Sequence, residues 1–329
     1  MKTLTTPAEQ PTLSWRRPQL LRGLDPALIA VYALLVILTV IVAVRAPSFR
    51  SSGSILGVAK QSALLSIVAI GEFTVILGGG IDLSVGSVTK LSALLTASVM
   101  AGRDDRILPA LGVAVGVGLA VGIVNALVIT RLHVAPFVAT FASYYIVRGI
   151  AFTFSTGTVG QTSPALYNFY SAKWFGIDAI DVLLLLMWIG AAWCFNRLVV
   201  ARHLYALGGN EDAARLAGVR VVALRASTYI VCSVVAALAG MFELLRDGVG
   251  GPTIGDGLEL AAITAVVVGG ASLTGGRGKA LGVLGGVLLL QMITSTFDYL
   301  QFNSLYQQLV NGLIILAAVA VYRQRKAAR

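Results

Sequence analysis

Strongly apolar stretches alternate with short polar segments along nearly the whole chain. The hydrocarbon core of a bilayer, about 30 Å thick, takes roughly 20 residues of helix. The eighth stretch is short for a full crossing, which favours a tilted, broken or re-entrant helix. The pattern predicts ten membrane spans: Pro26–Val44, Ile55–Leu77, Leu83–Met100, Ile107–Thr130, Pro136–Phe154, Val182–Leu198, Leu224–Leu245, Leu258–Ala271, Ala280–Phe297 and Leu305–Tyr322.

The composition is that of a protein solvated by lipid, since 57% of the residues are hydrophobic and the mean hydropathy is +0.85. We therefore predict an all-α polytopic membrane protein. The net charge of +10 does not indicate a nucleic-acid binder, because no basic face is interleaved with exposed aromatic residues. Cytoplasmic placement of both termini puts most of the lysines and arginines on that side, as the positive-inside rule expects. The predicted organisation is a cytoplasmic tail at 1–25, a transmembrane domain at 26–322 that includes a polar segment at 204–223, and a cytoplasmic tail at 323–329.

Glycines cluster where two pairs of predicted helices meet. Such clusters let the backbone break or pack closely inside a membrane, and broken hairpins often mark a transport pathway. Tight helix packing alone explains the clusters equally well, and the two hairpins run in the same direction, so no inverted repeat is predicted. After the first break, Asp82 and Ser84 offer side-chain oxygens that can cap the next helix. The clusters are Gly78, Gly79, Gly80 and Gly86, then Gly269, Gly270, Gly275, Gly276 and Gly278.

Few ionisable residues fall within or near the ends of the predicted spans, so an ion-coupled carrier has little support. The neutral polar residues Gln61, Asn125, Ser143, Thr264, Gln291, Thr294 and Asn311 suit hydrogen bonds between helices or contacts with a transported solute. The candidate helix-break or pathway residues are Gly79, Gly80, Asp82, Ser84, Gln61, Asn125, Glu259, Gly269 and Gly270.

The sequence offers no catalytic or cofactor site. The segment from Gly275 to Ala280 is not a phosphate-binding loop, because its spacing is wrong and Ala280 stands where a serine or threonine must hold Mg²⁺. Cys194 and Cys232 are interpreted as packing residues, with no metal-ligand spacing around them. His133 and His203 cannot be combined into a catalytic set. We therefore predict a protein that is not an enzyme.

A short charged helix is predicted inside the polar segment. Asn210 is a good N-cap, and Glu211 and Asp212 fall in the first turn, where the helix dipole favours acids. A two-turn helix is not stable alone in water, so it should dock onto something. An ordinary surface loop is the alternative. The residues of this predicted helix and its flanks are Gly208, Gly209, Asn210, Glu211, Asp212, Ala213, Ala214, Arg215 and Gly218.

Three stretches carry a family resemblance: Gly79–Ser87, Tyr205–Val219 and Gly257–Gly278. From about Pro26 to Tyr322 the chain resembles the permease subunits of ribose-type ATP-binding-cassette importers. Two positions depart from the family pattern. Ala261 stands where members usually carry an acidic residue, and Glu72 replaces the methionine of a Gly-Met pair. Because both positions lie near the expected central path, the resemblance implies a solute or a binding mode that differs from ribose, whereas the general role is unaffected.

The resemblance implies a multi-pass protein of the bacterial cytoplasmic membrane that moves a sugar or related small polar solute. It implies a second permease copy or paralogue, a separate ATPase subunit that binds ATP and Mg²⁺, and a periplasmic or surface-tethered binding protein. The segment Asn210–Gly218 looks like the coupling helix that the ATPase subunit grips, and the loop Tyr167–Trp174 could meet the binding protein. The alternative is an ATP-independent secondary carrier or facilitative channel.

Overall fold

The computed structural model describes residues 26–174 and 176–303, together with 306, 309, 310, 312 and 313. Within these residues the helices confirm the predicted all-α class, with one two-stranded hairpin, β1 (Lys173–Trp174) and β2 (Ile177–Asp178). The α-helices are α1 Pro26–Arg45, α2 Ser52–Gln61, α3 Ala63–Leu77, α4 Val85–Met100, α5 Ile107–Thr130, α6 Pro136–Phe154, α7 Pro164–Ser171, α8 Ala179–Arg197, α9 Val199–Gly209, α10 Glu211–Leu216, α11 Val221–Asp247, α12 Leu258–Val268 and α13 Ala280–Tyr299.

The number of spans differs from the prediction of ten. In the described part of the chain, six helical segments are long and apolar enough to cross a membrane: α1, α5 with its preceding turn, α6, α8, α11 and α13. The pair α2 and α3, bent by 41°, forms a seventh if it is one span. The helices α4 and α12 are apolar but shorter. The tenth predicted span, Leu305–Tyr322, lies largely outside the described residues, so ten crossings are not confirmed.

Glycines shorten two of the helices. The helix α3 ends at Leu77, and Gly79 then takes a φ of 80°, a left-handed conformation that favours glycine. The next helix starts only at Val85, two residues later than the predicted span. The helix α12 has only 11 residues and stops before Gly269, so the prediction that the eighth stretch is too short for a simple crossing is confirmed. At the second break it is Gly270, with a φ of 91°, that takes the left-handed conformation favoured by glycine.

The longest helix, α11, is the centre of the helix packing, with α3, α4 and α5 against it. Glycines allow this close packing. A Cβ atom on Gly118 of α5 would lie 2.5 Å from the Cα of Val234, and one on Gly122 would lie 2.7 Å from the Cα of Ile230. Helices in lipid gain no hydrophobic energy by associating, so such close approach supplies the dispersion contacts that hold them together.

Hydrogen bonds also join α4 to α11. Thr89 Oγ1 donates to the carbonyl of Ala236 at 2.9 Å, and Ser92 Oγ donates to the carbonyl of Ala237 at 2.6 Å. Bonds of this kind between membrane helices contribute about 0.6 kcal/mol each. Thr89 Oγ1 also lies 2.8 Å from the carbonyl of Val85 in its own helix. Because the two hydroxyls contact particular carbonyls of α11, these bonds set the register of α4 along α11.

The two ends of the bundle carry different features. The short helix α10 lies between α9 and α11 at one end, which we call the α10 end. The loop 248–257 follows α11 at the other end, which we call the far end. The 27 residues of α11 separate these ends by about 40 Å at 1.5 Å of rise per residue.

We expect Gly118→Ala to destabilise the bundle, because the added Cβ overlaps the backbone of α11. Overpacking of this kind costs about 1–3 kcal/mol. The matched control is Gly116→Ala on the same helix, where nothing lies within 4 Å of the added Cβ. The unfolding temperature in detergent should fall for the first variant and stay level or rise for the control. Equal unfolding temperatures would contradict the packing described here.

Candidate functional site

The predicted charged helix exists as α10 (Glu211–Leu216), and its start is capped as the sequence suggests. Asn210 Oδ1 accepts a hydrogen bond from the backbone N–H of Ala213 at 3.0 Å. The Glu211 carboxylate forms ion pairs with Arg215, at 2.9 Å, and with Arg225 of α11, at 2.6 Å. The hydrogen bond from Arg225 lowers the pKa of the Glu211 carboxyl below its usual range, and the charges of both arginines add to this effect. The helix is thereby fastened to the start of α11.

The apolar residues of α10 divide between two faces. Ala214 is buried and packs with Leu207 of α9 and Val221 of α11. Leu216 is 90% exposed, the largest exposed fraction among the exposed large hydrophobic residues that the structure describes. Ala213 and Ala217 are exposed as well. Ala214 therefore anchors α10 to its own chain, whereas Leu216 projects away from it.

Glycines from three distant segments meet directly behind α10. This glycine junction consists of Gly79 in the break after α3, Gly208 in the last turn of α9, and Gly275 and Gly276 in the loop between α12 and α13. A Cβ on Gly275 would lie 2.7 Å from the Cα of Gly208 and 2.8 Å from the nitrogen of Gly79. The glycines therefore bring the backbones of three segments to closest approach, which no larger residue would allow.

Two hydrogen bonds support the glycine junction. The N–H of Gly276 donates to the carbonyl of Leu77 at 3.0 Å, and the hydroxyl of Tyr205 on α9 donates to the carbonyl of Gly278 at 2.9 Å. Sequence reasoning did not find this junction. It placed a helix break at each cluster, but nothing in the chain order indicates that the breaks touch.

Asp82, Ser84 and Asn125 form one buried chain of hydrogen bonds with two further residues. Glu72 accepts from the N–H of Asp82 at 3.1 Å, and Asp82 Oδ1 accepts from the N–H and the hydroxyl of Ser84. Asn125 Nδ2 donates to Ser84 Oγ at 3.0 Å, and Ser143 Oγ donates to Asn125 Oδ1. The chain ties the α3–α4 break to α5 and α6.

The buried chain changes the roles predicted for two residues. Ser84 is the N-cap residue of α4, but its side chain does not cap the helix. The Ser84 hydroxyl instead donates to Asp82 and accepts from Asn125. Asp82 is fully buried and bonds to the backbone one residue before the helix rather than to its first turn. These residues act as a structural brace around the first break.

A cavity of about 630 Å³ opens towards the far end between α2, α3, α12 and α13. Its polar groups are mostly neutral amides and hydroxyls. Gln291 Nε2 donates to Gln61 Oε1 at 3.2 Å across its wall. The lining residues are Gln61, Leu64, Leu65, Arg246, Gly255, Asp256, Gly257, Leu258, Leu260, Ala261, Thr264, Leu290, Gln291, Thr294 and Gly312. The cavity thus contains Gln61 from the predicted pathway set and Ala261, one of the two departures from the family pattern. Glu72 does not line it.

A cluster of charged side chains joins α4, α6 and the loop before α12 near this cavity. Lys90, whose side chain is 2% exposed, lies 2.8 Å from Asp256 and also donates to the carbonyl of Pro252. Arg148 of α6 approaches the same Asp256 at 3.8 Å. Lys90 and Arg148 lie within the helices α4 and α6, and their shared partner lies in the loop before α12. The cluster fixes that loop against α4 and α6.

The remaining predicted pathway residues lie elsewhere. Glu259 is in the first turn of α12, where its carboxylate faces Gly86 of α4. Gly80 lies against the hydroxyl of Tyr229, and Gly269 and Gly270 end α12, with Gly269 packed on Gly282. The candidate pathway set therefore does not form one site. It divides among the cavity, the buried chain, the glycine junction and helix packing.

The chain is similar in sequence to known membrane permeases. Residues 54–319 match the family described as branched-chain amino acid transport system / permease component. The chain is 35% identical over 298 residues to the ribose import permease protein of Escherichia coli K12, covering 89% of this chain and 92% of that protein. It is 34% identical to the D-allose transport system permease protein of the same strain, over 89% of this chain and 91% of that protein.

A probable ABC transporter permease protein of Sinorhizobium fredii is 32% identical, over 92% of this chain and 90% of that protein. No solved structure matches the chain. The fold and the comparisons together define a helical membrane protein of the transport-permease class. The chain belongs to the branched-chain amino acid transport system / permease component family, whose members are transport components.

We expect Asp82→Ala to destabilise the protein, because the N–H and hydroxyl of Ser84 lose their buried acceptor. An unsatisfied buried donor costs about 1–3 kcal/mol. Asp82→Asn retains one acceptor oxygen and serves as the control, with near-normal stability and transport. The unfolding temperature and solute uptake in proteoliposomes measure the two effects. If Asp82→Asn abolished uptake while its unfolding temperature stayed normal, Asp82 would belong to the transport pathway instead.

Proposed function

We propose that this chain is the membrane-spanning permease subunit of an ATP-driven importer for a sugar or a related small polar solute. The observation that carries the proposal is α10, a braced helix that presents one almost fully exposed leucine at the end of the bundle. A membrane protein that needed no partner at this end would gain nothing by exposing Leu216 to water. The names of the similar ribose and allose permeases support the solute class.

The cavity at the far end suits a neutral polyhydroxylated solute. Gln61, Gln291, Thr264 and Thr294 offer amides and hydroxyls that can replace water around such a solute. Its charged groups, Asp256 and Arg246, lie in or next to the loop at the far end. A passage lined mainly by neutral groups binds its solute weakly, and we assign high affinity to a separate extracytoplasmic binding protein.

The proposed partner at the α10 end is an ATPase subunit that binds ATP and Mg²⁺. Leu216 would enter a cleft of that subunit, with Ala213 and Ala217 beside it as small residues that allow close approach. Glu211 and Ala214 hold α10 to α9 and α11, so a movement of α10 would carry its neighbours along. The energy of ATP binding would thus enter the permease as a mechanical displacement.

The glycine junction is the route that we propose for this displacement. At the junction, α9 touches the break after α3 and the loop between α12 and α13. The same helices, α3, α12 and α13, line the cavity beyond. A shift of α9 at Gly208 would therefore tilt the cavity-lining helices together, because closely packed backbones transmit displacement without side chains that could adjust.

The remaining partners follow from the same proposal. A second permease copy or paralogue would complete the translocation path, and the binding protein would dock at the far end. That end carries α7 and the hairpin β1–β2, with Tyr167 53% exposed and Trp174 40% exposed. We propose that the α10 end and both termini face the cytoplasm, which agrees with the arginines around α9 and α10. The ATP-independent carrier is not favoured, because it has no use for a braced and exposed α10.

Leu216→Asp should reduce binding of the ATPase subunit by roughly tenfold or more, because burying a leucine side chain is worth about 1.5–3 kcal/mol. The measurement is co-purification of the ATPase subunit from membranes that express the neighbouring genes, followed by ATP-dependent sugar uptake in proteoliposomes. The control is Leu132→Asp, a leucine 69% exposed in the α5–α6 connection. Wild-type protein that purifies alone and transports without ATP would refute the proposal.

Gly208→Ala should lower uptake by roughly tenfold, since the added Cβ overlaps the carbonyl oxygen of Leu77 and forces the glycine junction apart. Binding of the ATPase subunit and basal ATP hydrolysis should persist, because α10 itself is unchanged. The neighbouring variant Gly209→Ala is the matched control, with no atom within 4 Å of its added Cβ. If both variants transported equally well, the junction would not take part in coupling.

A further inference from the structure

An apolar groove of about 580 Å³ runs between α5 and α11 and opens at the α10 end. Its walls are exposed aliphatic side chains, among them Ile123 (43%), Leu127 (51%) and Val222 (52%). The two helices that form it are both long and apolar enough to span a membrane. The groove therefore lies on a lateral face of the bundle, where lipid is the solvent.

Three arginines stand at one end of this groove: Arg131, Arg215 and Arg220. Arg131 follows the last residue of α5, and Arg220 precedes the first residue of α11. Arg215 of α10 already pairs with Glu211. Within the described part of the chain, neither Arg131 nor Arg220 has an acidic side chain within ion-pair distance. No acidic residue lines the groove.

Along α5 the groove has a charged end followed by an apolar wall, which is the arrangement that an amphiphilic molecule would fit. Eight residues separate Ile123 from Arg131, which is about 12 Å along the helix. One end of the groove is thus cationic, and the rest extends as an aliphatic channel towards the middle of the bundle. A soluble partner bound at the arginines would not reach the aliphatic wall inside the bilayer, whereas a neutral hydrocarbon chain would leave the arginines without an anion.

We propose that this groove binds one anionic glycerophospholipid. The guanidinium groups of Arg131 and Arg220 would take its phosphate and acidic headgroup, since arginine binds phosphate through paired N–H donors. One acyl chain would lie along Leu127 and Ile123. Arginine clusters at the cytoplasmic ends of membrane helices attract anionic lipids with about 1 kcal/mol per charge. The lipid would sit beside α10 without covering Leu216, which does not line the groove.

The test uses the full-length permease, purified in detergent, and a phosphatidylglycerol with a fluorescent acyl chain as the probe. We expect unlabelled phosphatidylglycerol to displace it, and phosphatidylcholine and inorganic phosphate to compete poorly. The double variant Arg131→Gln/Arg220→Gln should bind roughly 30-fold more weakly, about fivefold for each arginine, which corresponds to about 1 kcal/mol each. The matched control is Arg202→Gln, an exposed arginine of α9 at the same end that does not line the groove.

A second variant tests the apolar half of the groove. Ala223→Trp places a large side chain in the groove from an exposed position on α11, and it should abolish binding of the probe while the elution profile and unfolding temperature stay normal. The proposal is overturned if the double variant binds as tightly as the wild type, or if Arg202→Gln weakens binding equally. It is also overturned if phosphatidylcholine competes as well as phosphatidylglycerol, or if a second permease copy or the ATPase subunit cross-links to the groove.

Discussion

The close approach of α11 to α3, α4 and α5 organises the whole helix bundle. Helices surrounded by lipid gain little from hiding apolar side chains from one another, so their association rests on contact at short range. Glycines supply that contact on α5, and Gly240 of α11 lies directly against the carbonyl of Thr89. Hydroxyl groups of α4 then fix the register. The short helix α4 is held in place by α11, and α12 is held by α13 and α3, although neither is long enough for a full crossing.

The same packed helices reach both ends of the molecule. At the α10 end, the glycine junction joins α9 to the breaks of both hairpins. Towards the far end, the same hairpin helices form the cavity. Closely packed backbones deform little, so under the proposed function a displacement at one end would reach the other through these helices. The buried chain from Glu72 to Ser143 pins the first break to α5 and α6 and limits the freedom of α4.

The contrast between Ala214 and Leu216 shows how one short helix serves two purposes. The smaller residue packs inward between α9 and α11, and the larger one projects into solvent. Glu211 adds ion pairs to Arg215 and Arg225, which also compensate part of the positive charge at this end. The arginines beyond its reach, Arg131 and Arg220, keep their charge available at the mouth of the lateral groove.

The helical class, the apolar stretches, the two glycine breaks and the capped helix after Asn210 could all be predicted from the sequence, because each depends on neighbouring residues and their backbone preferences. It could not decide how many stretches cross the membrane, since composition does not distinguish a short buried helix from a span. It also could not show that Gly79, Gly208 and Gly275 touch, or that Ala214 faces inward. Those facts were decided only by the tertiary structure, because contacts between distant segments depend on how the helices pack and no local pattern records them.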